Sequence, residues 1–144
     1  QFDWPVHALK EMTPMSAAIG RNDKLSDPAH AYIKLRTGAN GRTRRVLIPT
    51  VRMIEDYIRR VPFGAAPDMA VMKKEFAQAA AADLTCPVTV RRHLRAVCET
   101  AIAARRDGGD AAPVWRLIGA DDITAKQVPG AVELIREMRA REQI

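Results

Sequence analysis

The chain has two cysteines, Cys86 and Cys98, and three histidines as candidates for nucleophilic or metal chemistry. It contains no Cys-x-x-Cys pair and no His-rich cluster, so the sequence predicts no metal site and no cofactor. Cys86 directly precedes Pro87 at the predicted start of a helix, where the helix dipole favours a thiolate. His93 is the nearest candidate base. A thiol enzyme that uses Cys86 or Cys98 is therefore a minor alternative.

Arginine carries the stronger chemical signal. Residues 34–60 contain eight Lys and Arg residues against two acidic ones, and residues 84–106 contain five against one. The formal net charge is +6, so the positive charge is concentrated in these two stretches. Guanidinium groups form forked pairs with phosphates, and segregated basic charge suits a polyanion. We expect nucleic acid as the partner, and the alternative is a solvated basic face that binds nothing.

The overall composition indicates what kind of scaffold positions these side chains. A chain of 144 residues is the size of one domain and can bury a core without disulfides. Alanine is abundant and aromatic residues make up only 5%, which favours closely packed helices. No apolar run is long enough to span a membrane and no signal peptide is visible, so we expect a cytoplasmic, nucleoid-associated protein.

The turn signals and the hydrophobic spacing predict a short hairpin followed by helices. Residues 1–31 read as an irregular arm anchored by Phe2 and Trp4, and Asn40-Gly41 predicts a turn between strands at 31–35 and 45–48. This hairpin would present three arginines to a partner: Arg42, Arg44 and Arg45. The helical spacing predicts four helices, at 50–61, 68–80, 85–106 and 130–142, with Thr50 and Thr85 as the N-caps of the first and the third.

The second and third predicted helices, with a break at 83–85, form a helix-turn-helix arrangement. The first two turns of the third helix carry Arg91, Arg92 and Arg95, and this part of a recognition helix is the part that meets DNA. The predicted fold is therefore α+β and mainly helical. It is a winged-helix-like helix-turn-helix domain at 46–144, preceded by an arm and basic hairpin at 1–45.

The order of these pieces resembles the C-terminal domain of alkylguanine-DNA alkyltransferases. Leu94-Arg95-Ala96-Val97-Cys98 stands where that family has an arginine finger in an Ala-Arg-Ala-Val-Gly context. Residues 113–119, Pro-Val-Trp-Arg-Leu-Ile-Gly, stand where it has the Pro-Cys-His-Arg-Val-Ile-Gly active-site segment. Val128-Pro129-Gly130 and the helix that follows match its glycine loop and closing helix. The chain is similar in particular to small bacterial alkyltransferase-like proteins, which share Ile48-Pro49-Thr50, Thr85-Cys86-Pro87 and the Trp-Arg pair.

The departures from the family pattern bear on activity. Val114 stands at the acceptor cysteine and Trp115 at the histidine that would activate it, so the family's alkyl transfer has no nucleophile and no base here. Met69 falls near the tyrosine that helps to rotate the target nucleotide. The finger arginine remains, as Arg95. The resemblance thus implies a DNA-facing scaffold without the chemistry.

The sequence accordingly predicts a non-enzymatic protein that binds double-stranded DNA through the minor groove, with Arg95 inserted between bases. Trp115, with Val114 and Arg116, would form a pocket for a modified or extruded base. The structural alternative places Trp115 in the core. In it, Arg116 either pairs with Asp121 or Asp122 or holds the turn between a short apolar strand and the last helix. The functional alternatives are a protein- or RNA-binding module and a sequence-specific regulator on the same scaffold.

Overall fold

The computed structural model describes residues 30–144, so the arm expected at 1–29, with Phe2 and Trp4, lies outside the described residues. Three strands and five α-helices follow one another in this part of the chain, with a 3₁₀ turn between the third and fourth helices. The fold is α+β and mainly helical, as predicted.

Strands β1 (Tyr32–Thr37) and β2 (Thr43–Ile48) form the predicted antiparallel hairpin. Gly41 has a φ of 79°, a left-handed conformation that an Asn-Gly turn supplies readily. A third strand, β3 (Leu84–Thr85), pairs parallel with β2 and completes a sheet in the order β1-β2-β3. Residues alternate between the two faces of the sheet, so Ile33 and Leu47 point into the core while Arg36 and Arg44 share the opposite face.

Helix α1 (Val51–Arg60) begins at the predicted cap, because the Thr50 hydroxyl accepts a hydrogen bond of 3.0 Å from the Met53 N–H. Helices α2 (Met69–Ala79) and α3 (Pro87–Arg106) lie at the positions of the second and third predicted helices. Thr85 does not cap α3 as its sequence position suggested. It lies in β3 and its hydroxyl donates to the Lys73 carbonyl at 2.7 Å, which ties the sheet to α2.

The residues after α3 form a 3₁₀ turn at Val114–Arg116, the short helix α4 (Ile123–Gln127) and the closing helix α5 (Ala131–Glu142). Gly130 precedes α5 with a φ of 86°, and a side chain there would be strained. All three described strands precede α3, so the sheet belongs to the hairpin and to the α2–α3 connection.

A single apolar core joins the sheet, the helices and the 3₁₀ turn. Ile33 and Leu47 from the hairpin lie in the same cluster as Leu94 of α3 and Ile135 of α5. The predicted domain boundary between residues 45 and 46 falls inside β2, and the hairpin residues Ile33 and Leu47 belong to the same apolar core as the helices. Within residues 30–144, no helix is both long and apolar enough to cross a bilayer.

Candidate nucleic-acid interface

The first half of α3 presents an arginine surface. Arg91, Arg92 and Arg95 are exposed, while Val90, Leu94 and Val97 of the same turns are buried in the core. None of the three arginines forms an ion pair or a side-chain hydrogen bond within the described residues. They line a shallow groove of about 350 Å³ together with Gln127 of α4. These guanidinium groups are therefore available to a partner.

The face of the hairpin that points away from the core is also basic. Arg36 and Arg44 lie directly opposite each other across β1 and β2, both are exposed, and neither has an ion-pair partner in the described part of the chain. Like charges in directly opposed positions destabilise a sheet. A bound anion would offset that repulsion. Arg42, at the tip of the hairpin, is likewise exposed, and its side chain forms no ion pair with residues 30–144.

A concave surface connects the hairpin to α3. A cavity of about 590 Å³, here called the basic cavity, lies between the outer face of the sheet and the start of α3, and its walls include Arg36, Arg92 and His93. Arg92 also lines the shallow groove, as do Pro87 and Val88, so the two depressions adjoin. No acidic residue is found among their described lining residues. Arginines that have no ion pair within residues 30–144 thus extend from Arg36 of the hairpin, across both depressions, to Arg95 of α3.

Arg45 does not belong to this surface, although the sequence grouped it with Arg42 and Arg44. It follows Arg44 in β2 and therefore points to the other face of the sheet. Its Nε donates to the Ala81 carbonyl at 3.0 Å, and its own N–H donates to an Asp83 carboxylate oxygen at 2.8 Å. Arg45 holds the α2–β3 connection against the sheet, which leaves Arg42 and Arg44 as the exposed hairpin pair.

Several other arginines of the described chain are held by carboxylates. These ion pairs are Arg52–Asp56, Arg59–Glu55, Arg59–Asp110, Arg105–Glu137, Arg116–Glu142 and Arg141–Glu137. Arg106, at the end of α3, is exposed and forms no ion pair within residues 30–144. It lies about 21 Å along the helix from Arg92. It therefore serves as a matched control for variants of the interface.

The segment at 113–119 does not form the base pocket expected from the resemblance. Val114 is 1% exposed and Trp115 is 5% exposed, and both belong to the apolar core. The Trp115 Nε1 donates to Glu142 at 2.6 Å. An indole buried in this way has no open face on which a base could stack. Trp115 is therefore a core residue, which is the structural alternative stated above.

Arg116 is also a structural residue, but its partner is not one of the two aspartates suggested by the sequence. Its Nε donates to the Glu142 carboxylate at 2.9 Å, and its Nη1 donates to the Val61 carbonyl at 2.8 Å. The guanidinium carbon lies 5.7 Å from the centre of the Phe63 ring. Arg116 thereby joins the end of α1, the 3₁₀ turn and the end of α5.

The Glu142 carboxylate accepts hydrogen bonds from Arg116, Trp115 and the Gly64 N–H, and these bonds hold the cluster together. Burial alone would raise the pKa of its carboxyl, but hydrogen bonds from Arg116, the Gly64 N–H and Trp115 lower the pKa to about 2. The carboxylate is therefore ionised at neutral pH. It stabilises the position of α5 and has no open side toward a ligand, since the residue is 5% exposed.

The two cysteines differ in the direction in which the protein shifts the pKa of the thiol. Cys98 is fully buried, and burial raises the pKa of its thiol to about 12, which makes it unsuitable as a nucleophile. Cys86 lines the basic cavity at the start of α3. Burial opposes ionisation of Cys86, but hydrogen bonds from the Thr89 hydroxyl and from the N–H groups of Thr89 and Val88 lower its pKa on balance, with help from Arg36. The thiol alternative is therefore reduced to Cys86.

Comparison of the chain with known protein families, curated proteins and solved structures gave no match. Sequence reasoning located Arg91, Arg92 and Arg95 but did not select Arg36 as a site residue. Arg36 lies opposite Arg44 because the hairpin pairs Thr37 with Thr43 around a loop at 38–42, whereas a two-residue turn at Asn40-Gly41 would have set Arg36 opposite Arg45.

Proposed function

We propose that the chain is a non-enzymatic DNA-binding protein of the alkyltransferase-like type. The observation that carries the proposal is the set of arginines without an ion pair within residues 30–144 that extends from the first half of α3 to the hairpin. DNA carries one charge per roughly 1.7 Å of duplex, so a surface of this kind gains affinity by displacing counterions. Several guanidinium groups without acidic neighbours suit that partner better than they suit a protein surface of mixed charge.

In this proposal α3 is the helix that meets the duplex at the minor groove. Arg95 enters the base stack and Arg91 and Arg92 contact phosphates, in keeping with the resemblance of residues 94–97 to the arginine-finger motif. The hairpin arginines extend the contact along the backbone. The proposal includes no base pocket at Trp115, because that side chain is buried and bonded to Glu142.

The proposal excludes alkyl transfer by the family's route. Val114 has no nucleophilic atom and lies in the core, and Trp115 cannot act as a general base. Incubation with alkylguanine-containing duplex should leave the intact mass of the protein unchanged. A mass gain on Cys86 would instead favour the thiol alternative.

The direct test is a salt titration of duplex binding by fluorescence anisotropy. We expect affinity to fall steeply with salt, with a slope of about 0.9 for each phosphate contact. Replacing Arg91, Arg92 and Arg95 together by Ala should abolish most of the binding, whereas Arg106→Ala should bind like the parent. Equal loss in both variants, or binding that does not depend on salt, would contradict the proposal.

Competitors in the same assay separate the alternatives. Single-stranded RNA that binds more tightly than the duplex would favour an RNA-binding module. A large preference for one duplex sequence over random competitor would favour a regulator. Comparison of duplexes with and without alkylguanine measures whether a modified base contributes to the affinity.

A further inference from the structure

The basic cavity has properties that plain contact with a duplex does not require. Its volume of about 590 Å³ lies in the range of roughly 300–1,000 Å³ found for small-molecule sites. It is formed by β1, β2, the β3–α3 connection and the first turns of α3. A phosphate bound on an open surface would need only one or two guanidinium groups and no enclosed volume.

The charged groups of the cavity converge from two elements. Arg36 comes from β1 and Arg92 from α3, and neither is neutralised by a carboxylate within residues 30–144. Arg44 adds to the positive potential, because it lies beside Arg36 on the same face of the sheet. This arrangement suits a phosphate group held between the sheet and the helix.

The rest of the lining is mostly apolar, with His30, Cys86, Thr89 and His93 as its polar members. Val46, Ile48 and Val88 contribute aliphatic surface, and Tyr32 contributes an aromatic ring. The partly buried side chain of His93 lines the cavity next to Pro49. A ligand that fits this lining combines an anionic group with a flat, weakly polar body. A nucleotide has that combination, whereas inorganic phosphate or a fatty acid lacks one part of it.

We propose that the basic cavity binds a single phosphate-bearing nucleotide, with the phosphate between Arg36 and Arg92 and the base against the aliphatic side chains. The inference deepens the proposed function and rests on it only in taking nucleic acid as one source of that nucleotide. The same chemistry is offered by a free mononucleotide and by the phosphorylated end of a strand. The experiment therefore contains an arm for each.

The first arm measures adenosine 5′-monophosphate, adenosine and inorganic phosphate by isothermal titration calorimetry. The second arm compares a 5′-phosphorylated oligonucleotide with its 5′-hydroxyl counterpart. We expect the phosphorylated member to bind at least 10-fold more tightly in one arm or both. Arg36→Ala and Arg92→Ala should each weaken that binding by at least 10-fold, whereas Arg106→Ala should not change it. Thermal unfolding of each variant confirms that it is folded.

The inference is overturned if neither arm shows a preference for the phosphorylated ligand, or if Arg36→Ala binds like the parent. Normal salt-dependent duplex binding with no nucleotide binding would overturn this inference and leave the proposed function standing. Binding of adenosine 5′-monophosphate that requires Arg36 and Arg92, without any duplex binding, would support the cavity and overturn the proposed function.

Discussion

At the scale of single residues, Arg95 is distinguished from its neighbours by the role proposed for it. Arg91 and Arg95 are four residues apart and share a face of α3, whereas Arg92 points about 100° away, toward the basic cavity. A phosphate contact needs only a positive charge, so lysine can replace arginine there. A guanidinium inserted between bases also stacks, and lysine has no planar group.

We therefore expect Arg95→Lys to weaken duplex binding nearly as much as Arg95→Ala. Arg91→Lys should retain most of the affinity, because a phosphate contact is kept. Anisotropy on one duplex at one salt concentration compares the variants directly. If Arg95→Lys binds like the parent, Arg95 is a phosphate contact and not a finger.

Glu142 illustrates a residue whose charge serves the fold. The pKa of its carboxyl is about 2 in the folded protein, below its ordinary value of 4.5. A lowered pKa contributes stability that is complete above about pH 4.5 and is lost as the pH falls toward 2. Arg116, the partner, is only 16% exposed, so removing the carboxylate leaves a poorly hydrated cation.

Glu142→Gln should lower the free energy of unfolding by about 3 kcal/mol at pH 7, the scale for breaking a buried ion pair. The difference from the parent should shrink between pH 4.5 and pH 2, because the parent loses the same interaction there. Urea unfolding at pH 7 and pH 3 measures both values. A difference that does not change with pH would show that the lost packing, and not the charge, accounts for it.

At the scale of elements, the hairpin combines a binding surface with a cost in stability. Arg36 and Arg44 are opposed across β1 and β2, and like charges in this position destabilise a sheet. Arg44→Glu would replace the repulsion by an attraction. We expect the free energy of unfolding to rise by about 0.2–1 kcal/mol.

The same substitution should weaken duplex binding and reduce the salt slope by about 1 or more, since a phosphate contact is lost and an opposing charge is added. Thermal unfolding and salt titration of one variant give both results. Arg44→Ala serves as the control, with a smaller gain in stability and a smaller loss of binding. A variant that is both more stable and fully able to bind would show that the hairpin faces away from DNA.

The connection between α2 and α3, which the sequence predicted as a break between two helices, contains the short strand β3 and pairs with β2. The chain at 83–85 leaves α2 and returns to β2, where Leu84 and Thr85 pair with Val46 and Leu47. The Thr85 hydroxyl bonds to α2, and α3 begins two residues later at Pro87. This short strand fixes the start of α3 relative to the hairpin. The basic cavity exists because of that attachment.

At the scale of the whole molecule, the hairpin and the helices share one core. Ile33 is 3% exposed and Leu47 is fully buried, and both pack with residues from α1, α3 and α5. A fragment that begins at residue 46 would lose β1, most of the hairpin and the pairing partner of β2. We expect that fragment to lose the cooperative thermal transition of the full chain, as measured by near-ultraviolet circular dichroism. A fragment with a sharp transition would support the boundary predicted from sequence.

Local features of the fold could be predicted from the sequence because they depend on neighbouring residues. The Asn40-Gly41 turn, the Thr50 cap, Pro87 in the first turn of α3 and the spacing of Val90, Leu94 and Val97 each express a short-range preference. The exposed arginines of α3 follow from the same periodicity. A helix that buries one stripe must present the remaining residues to solvent.

The partners of side chains that are distant in sequence were decided only by the tertiary structure. Arg116 bonds to Glu142, 26 residues later, and not to the nearby Asp121 or Asp122. Arg45 and Arg44 lie on opposite faces of the sheet because successive strand residues alternate. The Arg45 side chain therefore donates a hydrogen bond to the Ala81 carbonyl. Trp115 becomes core because α5 closes over the 3₁₀ turn. Such choices depend on which elements pack together, so charge and spacing within a segment indicate where arginines are but not which of them remain free to bind.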